Sequence, residues 1–388
     1  MTRGPSTEAI HRAEGASRTA DPLTTPIYQT TTFLFESADE VRAYMEGRSD
    51  KFLYSRYRNP TVQSAEAKLA ALEGAEASLL LGSGMAAVST ALLGLLEAGD
   101  EIVCCSAIYG NTLQLLQKLL PRFGIAARFA SLEEFAQPDS LIGPKTRIVW
   151  FESPVNPTLR CLDIAQIAKA CRRKGVLSIV DSTFASPINQ KPLALGADVV
   201  MHSATKYLNG HSDVTAGVLA GSAAMIARIE PARRLLGAVL DPQAAWTLAR
   251  GLKTVAVRVA RHNASAQAIA EWLEKDSRVK RVLYPGLPSH PDFAIAKKQM
   301  QGFGGMVSID LEGGIDRASR FFDRLELFKK AASLGGVESL CSLPIYTSQW
   351  GYTDEQLARA GVTRGMARLS VGLEDVEDLI ADLDQALN

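Results

Sequence analysis

The stretch VVMHSATKYLNGHSDVTAG, residues 199–217, places an apolar run directly before a lysine. The run predicts a buried strand, and Ser203, Thr205 and Gly210 surround Lys206 in the turn that follows. A lysine is most often a solvated surface residue, but here the neighbouring hydroxyls can hold an anion. An amine desolvated at such a place loses its proton more readily. Lys206 is therefore a candidate Schiff-base former.

Outward from this stretch, short apolar runs alternate with helical segments. The runs are LLL (79–81), IVCC (102–105), RIVWFE (147–152), SIVD (178–181), VVMHS (199–203) and GVLAG (217–221). The helical segments lie near residues 61–73, 84–97, 109–123 and 163–174, the last beginning with the cap-like Asp163. Strands that are apolar throughout and separated by long helices predict a mostly parallel sheet covered on both faces, an α/β fold. Ligands then bind at the carboxyl ends of the strands.

The two flanks of this alternating region have different patterns. Residues 1–60 contain few periodic segments and end in FLYSRYRNPT (52–61), which predicts an arm instead of a domain. After Asp241-Pro242 the pattern predicts one long helix to about Lys275, followed by strands at MVSIDL and ARLSVG. The last helix places Val376, Leu379, Ile380, Leu383 and Leu387 on one stripe. A second, smaller domain is expected here.

Composition limits the class of protein. The chain has 388 residues, and 42 basic residues balance 42 acidic ones, so no global field favours nucleic acid or an anionic membrane. The five cysteines form no CxxC pair, and we expect reduced thiols and no bound metal. We see no signal peptide and no run of the ~18 apolar residues that a membrane span needs. These features predict a cytoplasmic enzyme with two domains.

The glycine-rich GSGMAA, residues 82–87, joins a predicted strand to a helix. Backbone amides at a helix N-terminus suit a phosphate. The same letters fit the GxGxxA dinucleotide pattern, but IVCCSAIYGN (102–111) lacks the acidic residue that a nicotinamide site wants after the next strand. A plain turn, a phosphate cradle and a dinucleotide site all remain open at this point.

Asp181 and Arg368 are further candidates. Asp181 ends a predicted strand one crossover before Lys206, so both should emerge at the same edge of the sheet. A helix cap or a structural ion pair is the alternative for Asp181. Arg368 is either solvated or turned inward to hold a carboxylate such as that of an amino acid. Pyridoxal phosphate, an aldehyde with a phosphate and a protonatable nitrogen, would use the lysine, the carboxylate and the glycine-rich turn together.

Seven stretches carry a resemblance to a known family: YSRYRNPT, GSGMAA, ESPVNPTL, DSTFASP, SATKYLNGHSD, SLGGVESL and RLSVGLED. Together they resemble the pyridoxal-phosphate-dependent Cys/Met metabolism (trans-sulfuration) enzymes, from about residue 22 to the end of the chain. The resemblance implies fold type I of the pyridoxal-phosphate-dependent transferases. It further implies an arm over 1–60 that contacts a neighbouring subunit, a cofactor domain over 61–242 and a C-terminal domain over 243–388.

The resemblance also implies residue roles. Lys206 would bind the cofactor aldehyde and shuttle protons, Asp181 would pair with the pyridinium nitrogen, and Tyr109 would stack on the ring and relay a proton to the leaving sulfur. The other cofactor contacts it implies are Gly84, Met85, Thr183, Ser203 and Thr205, with Tyr54 and Arg56 reaching the phosphate in a neighbouring subunit. The implied contacts to the substrate carboxylate and the cofactor edge are Asn156, Ser333 and Arg368. The implied assembly is a homotetramer of active dimers with an amino-acid substrate.

The implied activity is γ-replacement or γ-elimination of the cystathionine γ-synthase or γ-lyase type, in methionine and cysteine metabolism. Two positions depart from its relatives: Ala332 replaces the glutamate common in cystathionine-specific members, and Asn111 replaces the cysteine usual in methionine γ-lyases. The first departure counts against a cystathionine-specific enzyme and the second against a methionine γ-lyase, while the overall pattern remains most similar to cystathionine γ-synthase and γ-lyase. Methionine γ-lyase and O-acylhomoserine sulfhydrylase are the alternatives. An NAD-dependent oxidoreductase and an inactive scaffold are remote ones. For His202 and His211 we expect structural hydrogen bonds.

Overall fold

The structure is a computed structural model that describes residues 3–12 and 21–388. Its larger sheet contains seven strands, in the spatial order β1-β7-β6-β5-β4-β2-β3. They are β1 (Ala77–Leu81), β2 (Glu101–Cys105), β3 (Ala126–Ala130), β4 (Thr146–Glu152), β5 (Leu177–Asp181), β6 (Val199–Ser203) and β7 (Gly217–Gly221). Only β7 runs antiparallel to its neighbours β1 and β6. The prediction of a mostly parallel sheet is confirmed.

The smaller sheet has five strands in the order β10-β11-β12-β9-β8. They are β8 (Val279–Leu283), β9 (Met306–Leu311), β10 (Lys329–Lys330), β11 (Leu340–Ser342) and β12 (Met366–Ser370). The pairs β8-β9, β9-β12 and β11-β12 are antiparallel, whereas β10-β11 is parallel. This second sheet has its own apolar core, so the chain folds around two sheets as the sequence predicted.

Fifteen α-helices are found within the described ranges. They are α1 (Pro5–His11), α2 (Ala38–Met45), α3 (Pro60–Glu73), α4 (Gly84–Leu95), α5 (Gly110–Gln114), α6 (Pro138–Leu141), α7 (Ile164–Lys174), α8 (Ser186–Asn189), α9 (Ala223–Leu236), α10 (Pro242–Leu252), α11 (Val255–Glu274), α12 (Phe293–Gln299), α13 (Gly314–Arg324), α14 (Asp354–Arg359) and α15 (Val376–Leu387). None of them has the length and apolar character that crossing a bilayer requires.

Side-chain caps explain where the helices next to the site begin. Ser83 precedes α4 and accepts a hydrogen bond from the Ala86 amide, while Asp163 caps α7 by accepting from the Gln166 amide. The cap predicted at Asp163 is therefore confirmed. Leu379, Leu383 and Leu387 of α15 are buried, as the apolar stripe predicted.

Three details differ from the expectations. The single long helix predicted to Lys275 is two helices, because Thr254 departs from helical geometry. Arg258 there donates to the Gly251 carbonyl at 2.8 Å and to the Thr254 hydroxyl at 3.1 Å. The helix predicted near 109–123 is α5 followed by a π turn and a 3₁₀ turn, and Pro121 within the last removes a backbone donor. Strand β3, with its partly exposed residues, was not predicted.

The N-terminal residues were expected to form an arm over 1–60, of which 1–2 and 13–20 lie outside the described ranges. In the described part, α1 packs against α3, and Ala9 is fully buried. Lys68 of α3 donates to the carbonyl of Arg12 at 2.6 Å, just beyond the C-terminal end of α1. A cation at this end of a helix is favourable. The beginning of the chain is thereby attached to the body of the protein.

Gly217, the first residue of β7, allows the turn after β1 to approach β7 closely. A Cβ at Gly217 would lie 2.1 Å from the Ser83 carbonyl oxygen and 3.0 Å from the Ala87 Cβ. Since the first of these contacts is with backbone, no side-chain rotation could relieve it. The absence of a side chain at Gly217 therefore fixes the position of the turn that precedes α4.

We predict that Gly217→Ala lowers the free energy of unfolding by roughly 1–3 kcal/mol, the range for overpacking a close contact. Urea unfolding of the full-length protein measures the change. Gly143→Ala is the matched control, because its Cβ would meet nothing nearer than the Thr146 hydroxyl at 3.7 Å. Equal stability of the two variants would show that the β7 approach is not constrained.

Candidate active site

The candidate residues gather at one edge of the larger sheet. Strands β4, β5 and β6 are parallel neighbours, so Glu152, Asp181 and Ser203 end at the same edge. The turn after β1, which precedes α4, also lies there, because Leu81 pairs with Gly217 at the start of β7. This is the edge at which ligands bind in parallel sheets.

Lys206 lies in a tight turn after β6. Its Nζ donates to the Ser333 hydroxyl at 2.7 Å, which joins the larger sheet to the segment that precedes β11. Burial, and then the nearby positive charge of Arg368, lower the pKa of Lys206 to about 8. The turn ends at Gly210, whose φ of 75° favours glycine. The amine is consequently held in place and easily deprotonated.

Asp181 is linked to β6 through Thr183. Its Oδ1 accepts from the Thr183 amide at 3.0 Å and from the Thr183 hydroxyl at 2.5 Å. The same hydroxyl accepts from the Ser203 amide at 2.8 Å. Burial raises the pKa of Asp181, and the two Thr183 donors lower it. Among the described residues neither Lys nor Arg forms an ion pair with Asp181, so its charge is available to a ligand cation.

The glycine-rich turn and β6 form a narrow cradle. A Cβ on Gly84 would lie only 3.0 Å from the Ser203 Cβ, so backbone and hydroxyl face each other closely. Met85 lies in the first turn of α4 and accepts a weak hydrogen bond from Thr112 at 3.9 Å. The Thr205 hydroxyl donates to the Ala216 carbonyl and accepts from the Ala216 amide. The helix N-terminus and the Ser203 hydroxyl suit a phosphate.

Arg368 on β12 is turned inward, as one of its two interpretations predicted. Its Nη1 donates to the Asn156 Oδ1 at 2.8 Å and its Nη2 to the Ser333 carbonyl at 2.9 Å. Its buried Nε has no hydrogen-bond partner in the described chain. Ser333 has a φ of 109°, which is strained for a residue with a side chain. Arg368 therefore has a free donor for an incoming anion.

Tyr109 immediately precedes α5 and is 42% exposed. Its hydroxyl accepts from the Asn111 amide group at 3.1 Å, and its backbone amide donates to the Glu152 Oε1 at 2.6 Å. Sequence reasoning missed Glu152, although the residue ends the predicted strand 147–152. A carboxylate at the end of an apolar strand was the available signal, as it was for Asp181.

Tyr54 and Arg56 do not join this group within one chain. Arg56 lies over the rings of Tyr54 and Tyr57 and reaches the Arg234 carbonyl at 3.5 Å. Both Tyr54 and Arg56 are exposed. No contact of the described chain connects them to Lys206.

The other polar candidates have structural partners. His202 Nε2 lies 2.6 Å from the Glu73 Oε1, and His211 Nδ1 lies 2.8 Å from the Asn209 carbonyl. The cysteines are buried free thiols. A cleft of about 550 Å³ lies elsewhere, between β8 and the segment around Arg160, and none of the candidate residues lines it. The candidate residues therefore converge at the sheet edge and not at this cleft.

The fold matches a solved structure that defines the class of protein, and the sequence matches one family of that class. The solved structure of metB from Corynebacterium glutamicum matches with a TM-score of 0.93 and 38% identity, covering 100% of this chain and 98% of that one. The fold is fold type I of the pyridoxal-phosphate-dependent enzymes. The family model "Cys/Met metabolism PLP-dependent enzyme" matches residues 6–388, and the chain belongs to that family.

Two relatives show the range of this family. The chain is 43% identical to L-methionine gamma-lyase of Pseudomonas putida over 99% of this chain and 97% of that protein. It is 42% identical to cystathionine gamma-synthase 1, chloroplastic, of Arabidopsis thaliana, over 97% of this chain and 68% of that protein. The protein is therefore a pyridoxal-phosphate-dependent enzyme of cysteine and methionine metabolism. The nicotinamide and scaffold alternatives lose their support.

The residues present fit the cofactor. The Lys206 amine, with its lowered pKa, would suit the aldehyde. The close approach of Gly84 and Ser203 would present backbone and hydroxyl donors to a phosphate. Asp181, with no cation of its own among the described residues, suits a protonated ring nitrogen. The aldehyde, the phosphate and the ring nitrogen of pyridoxal phosphate would each find a suitable partner here.

We predict that cofactor-free protein takes up pyridoxal phosphate faster as the pH rises, with a midpoint near 8, because only the neutral Lys206 amine attacks an aldehyde. Arg368→Gln removes a cation that lowers the Lys206 pKa, so the midpoint moves upward. Stopped-flow absorbance at several pH values measures it. Arg281→Gln, an exposed arginine on β8, is the control and should leave the midpoint in place. A downward or absent shift in Arg368→Gln contradicts the prediction.

Proposed function

We propose that this enzyme catalyses γ-replacement or γ-elimination on homoserine-derived or sulfur amino acids, as cystathionine γ-synthase and γ-lyase do. The observation that carries the proposal is the buried Arg368, whose Nε is free, next to Ser333, which holds the Lys206 amine. A cation without an acidic partner among the described residues suits the carboxylate of an amino acid. That carboxylate would then lie beside the amine.

The bound cofactor supplies an electron sink that makes the α- and β-protons of the substrate removable and its γ-substituent expellable. In this proposal Lys206 moves those protons, because its lowered pKa lets the amine both accept and release a proton near neutral pH. Tyr109 gives a proton to the leaving group. The amide group of Asn111 donates to the Tyr109 oxygen and so holds the hydroxyl in one orientation for that transfer.

Asn156 and the cradle complete the proposed assignment. Asn156 holds the Nη1 of Arg368 and fixes the direction of its guanidinium. Gly84, Met85, Ser203 and Thr205 bind the cofactor phosphate, and Thr183 keeps Asp181 pointed at the cofactor ring.

Within the family, Ala332 and Asn111 bear on the subtype. Ala332 is exposed and offers no carboxylate to a distal ammonium. Asn111 stands where methionine γ-lyases usually have cysteine. Methionine γ-lyase and O-acylhomoserine sulfhydrylase are the alternatives to the cystathionine enzymes.

The test is a substrate panel with product identification. We expect O-acylhomoserines with cysteine or sulfide to give a new C–S bond, or cystathionine and methionine to give an α-keto acid and ammonia. Mass spectrometry identifies the products, and exchange of the α-proton in D₂O reports substrate activation independently of the outcome. Activation restricted to amino acids that lack a γ-substituent would refute the proposal.

We further propose that the active site is shared between two subunits, in a homotetramer of active dimers. Tyr54 and Arg56 are exposed and lie away from Lys206 of their own chain, and nearby Leu235 is 87% exposed. An exposed cation on an aromatic surface suits a phosphate in a neighbouring subunit.

We predict that mixing Arg56→Ala with Lys206→Ala protein restores activity that neither variant has alone. In random dimers half are mixed and have one intact site of two, so about a quarter of the parent activity returns. Activity after subunit exchange, verified by native mass spectrometry, is the measurement. Mixing Arg56→Ala with the double variant is the control, because no intact site can form there. If the subunits exchange and activity does not return, Arg56 of one subunit and Lys206 of the other do not belong to one site.

A further inference from the structure

Glu152 is a buried carboxylate to which neither the comparisons nor the sequence gives a role. It ends β4 and is 4% exposed. Its Oε1 accepts from the Tyr109 amide at 2.6 Å, so it connects β4 to the turn that precedes α5. It also lies near the backbone amide of Asn156. Two of the proposed site residues are thus attached to a single side chain.

Glu152 and Asp181 are directly paired in register on the neighbouring parallel strands β4 and β5. Side chains at paired positions point to the same face of a sheet. In the part of the chain that the structure describes, neither carboxylate forms an ion pair. Two like charges at neighbouring buried positions repel each other, which favours protonation of one of the two carboxylates.

The hydrogen bonds decide which of the two is neutral. Asp181 accepts two hydrogen bonds from Thr183 at one oxygen, and it is partly accessible. Donors of this kind stabilise the charged form. Glu152 is the more deeply buried, and its donors are backbone amides alone, that of Tyr109 at 2.6 Å and that of Asn156, with no side-chain hydroxyl such as Thr183 supplies to Asp181.

We propose that Glu152 is a positioning residue that acts as a neutral acid: it holds the Tyr109 turn and leaves Asp181 as the charged carboxylate at this edge of the sheet. The inference extends the roles proposed above for Tyr109 and Asp181. It names no new chemical step, and its first test does not depend on any substrate.

The surroundings of Glu152 support the neutral form. Burial and then the charge of Asp181 hold the pKa of Glu152 well above its usual range, against the backbone amides of Tyr109 and Asn156. Cys104 and Cys105 lie on the neighbouring strand β2, and the charge of Glu152 influences both. Burial raises the pKa of both thiols, that of Cys105 to about 12, so both are neutral at physiological pH. The remaining neighbour is Asp181 on β5, itself influenced by His202 on β6.

The neutral state has a consequence for stability. A carboxyl whose pKa is higher in the folded than in the unfolded protein costs stability as the pH rises above its unfolded value. Glu152→Gln is neutral at every pH and removes this cost. The apparent Tm of Glu152→Gln minus that of the parent should therefore rise by roughly 2–4 °C between pH 5 and pH 8. Scanning calorimetry of the full-length protein, with and without pyridoxal phosphate, measures it.

A charged Glu152 predicts a change of the Tm difference in the opposite direction. A charged Glu152 that stabilises the fold would make the Tm difference fall as the pH rises, and an indifferent one would leave it flat. Either result overturns the proposal. Glu73→Gln is the matched control, because Glu73 is equally buried but paired with His202 at 2.6 Å. This variant should not gain stability with rising pH.

A second measurement tests positioning. Glu152→Ala breaks the attachment of the Tyr109 turn and should lower kcat by roughly 10- to 100-fold while changing KM little. Glu152→Gln, which keeps an acceptor for the Tyr109 amide, should recover most of that loss.

Asp181→Asn should instead lose pyridoxal phosphate on dialysis, and absorbance near ~420 nm measures that loss. If Glu152→Gln behaves like Asp181→Asn, Glu152 acts as a charge and the proposal is wrong. If parent turnover is absent on every substrate, the proposed function fails, while the calorimetric result still decides the state of Glu152.

Discussion

The hydrogen bond from the Lys206 Nζ to the Ser333 hydroxyl, 2.7 Å long, is the interaction on which the site depends. Lys206 follows a strand of the larger sheet, whereas Ser333 precedes a strand of the smaller one. The two sheets must therefore pack in one relative position for the amine to be held. Burial at this junction lowers the Lys206 pKa to about 8, because water that would solvate the ammonium is replaced by protein. The same packing thus produces both the geometry and the reactivity of the amine.

Arg368 reinforces this junction from the smaller sheet. Its guanidinium contacts Asn156, after β4, and the carbonyl of Ser333, so it links the two halves of the site. Burial lowers the pKa of Arg368 to about 10, which expresses the cost of a buried cation without a carboxylate partner among the described residues. A fold tolerates such a cost where a ligand later removes it. The strained φ of Ser333, at 109°, is a second cost at the same place.

The sequence predicted the larger sheet and the edge at which the site lies, because buried parallel strands are continuous apolar runs and their ends are marked by polar residues. It also placed Lys206 and Asp181 there. The roles of Asn156 and Ser333 came only from the family resemblance, since their contacts to Arg368 span long sequence separations. The break at Thr254 was not predicted; Arg258 spans it by donating to the Gly251 carbonyl. Periodicity alone reports the apolar face of a helix and contains no information on such a tertiary contact.

Asp181 and Glu152 show why chemically similar residues at neighbouring strand ends can have different roles. Both end parallel strands, and both pKa values are raised by burial. Thr183 gives Asp181 two donors, and its hydroxyl also accepts from the Ser203 amide, so the orientation of the aspartate is fixed by β6. Glu152 is instead covered by the Tyr109 turn. A charge is stable where several donors and a cation can meet it, and a proton is retained where they cannot. The proposed division of roles follows from which backbone amides and hydroxyls the fold brings to each oxygen, and it leaves Asp181 as the charged member of the pair at the sheet edge where Lys206 follows β6.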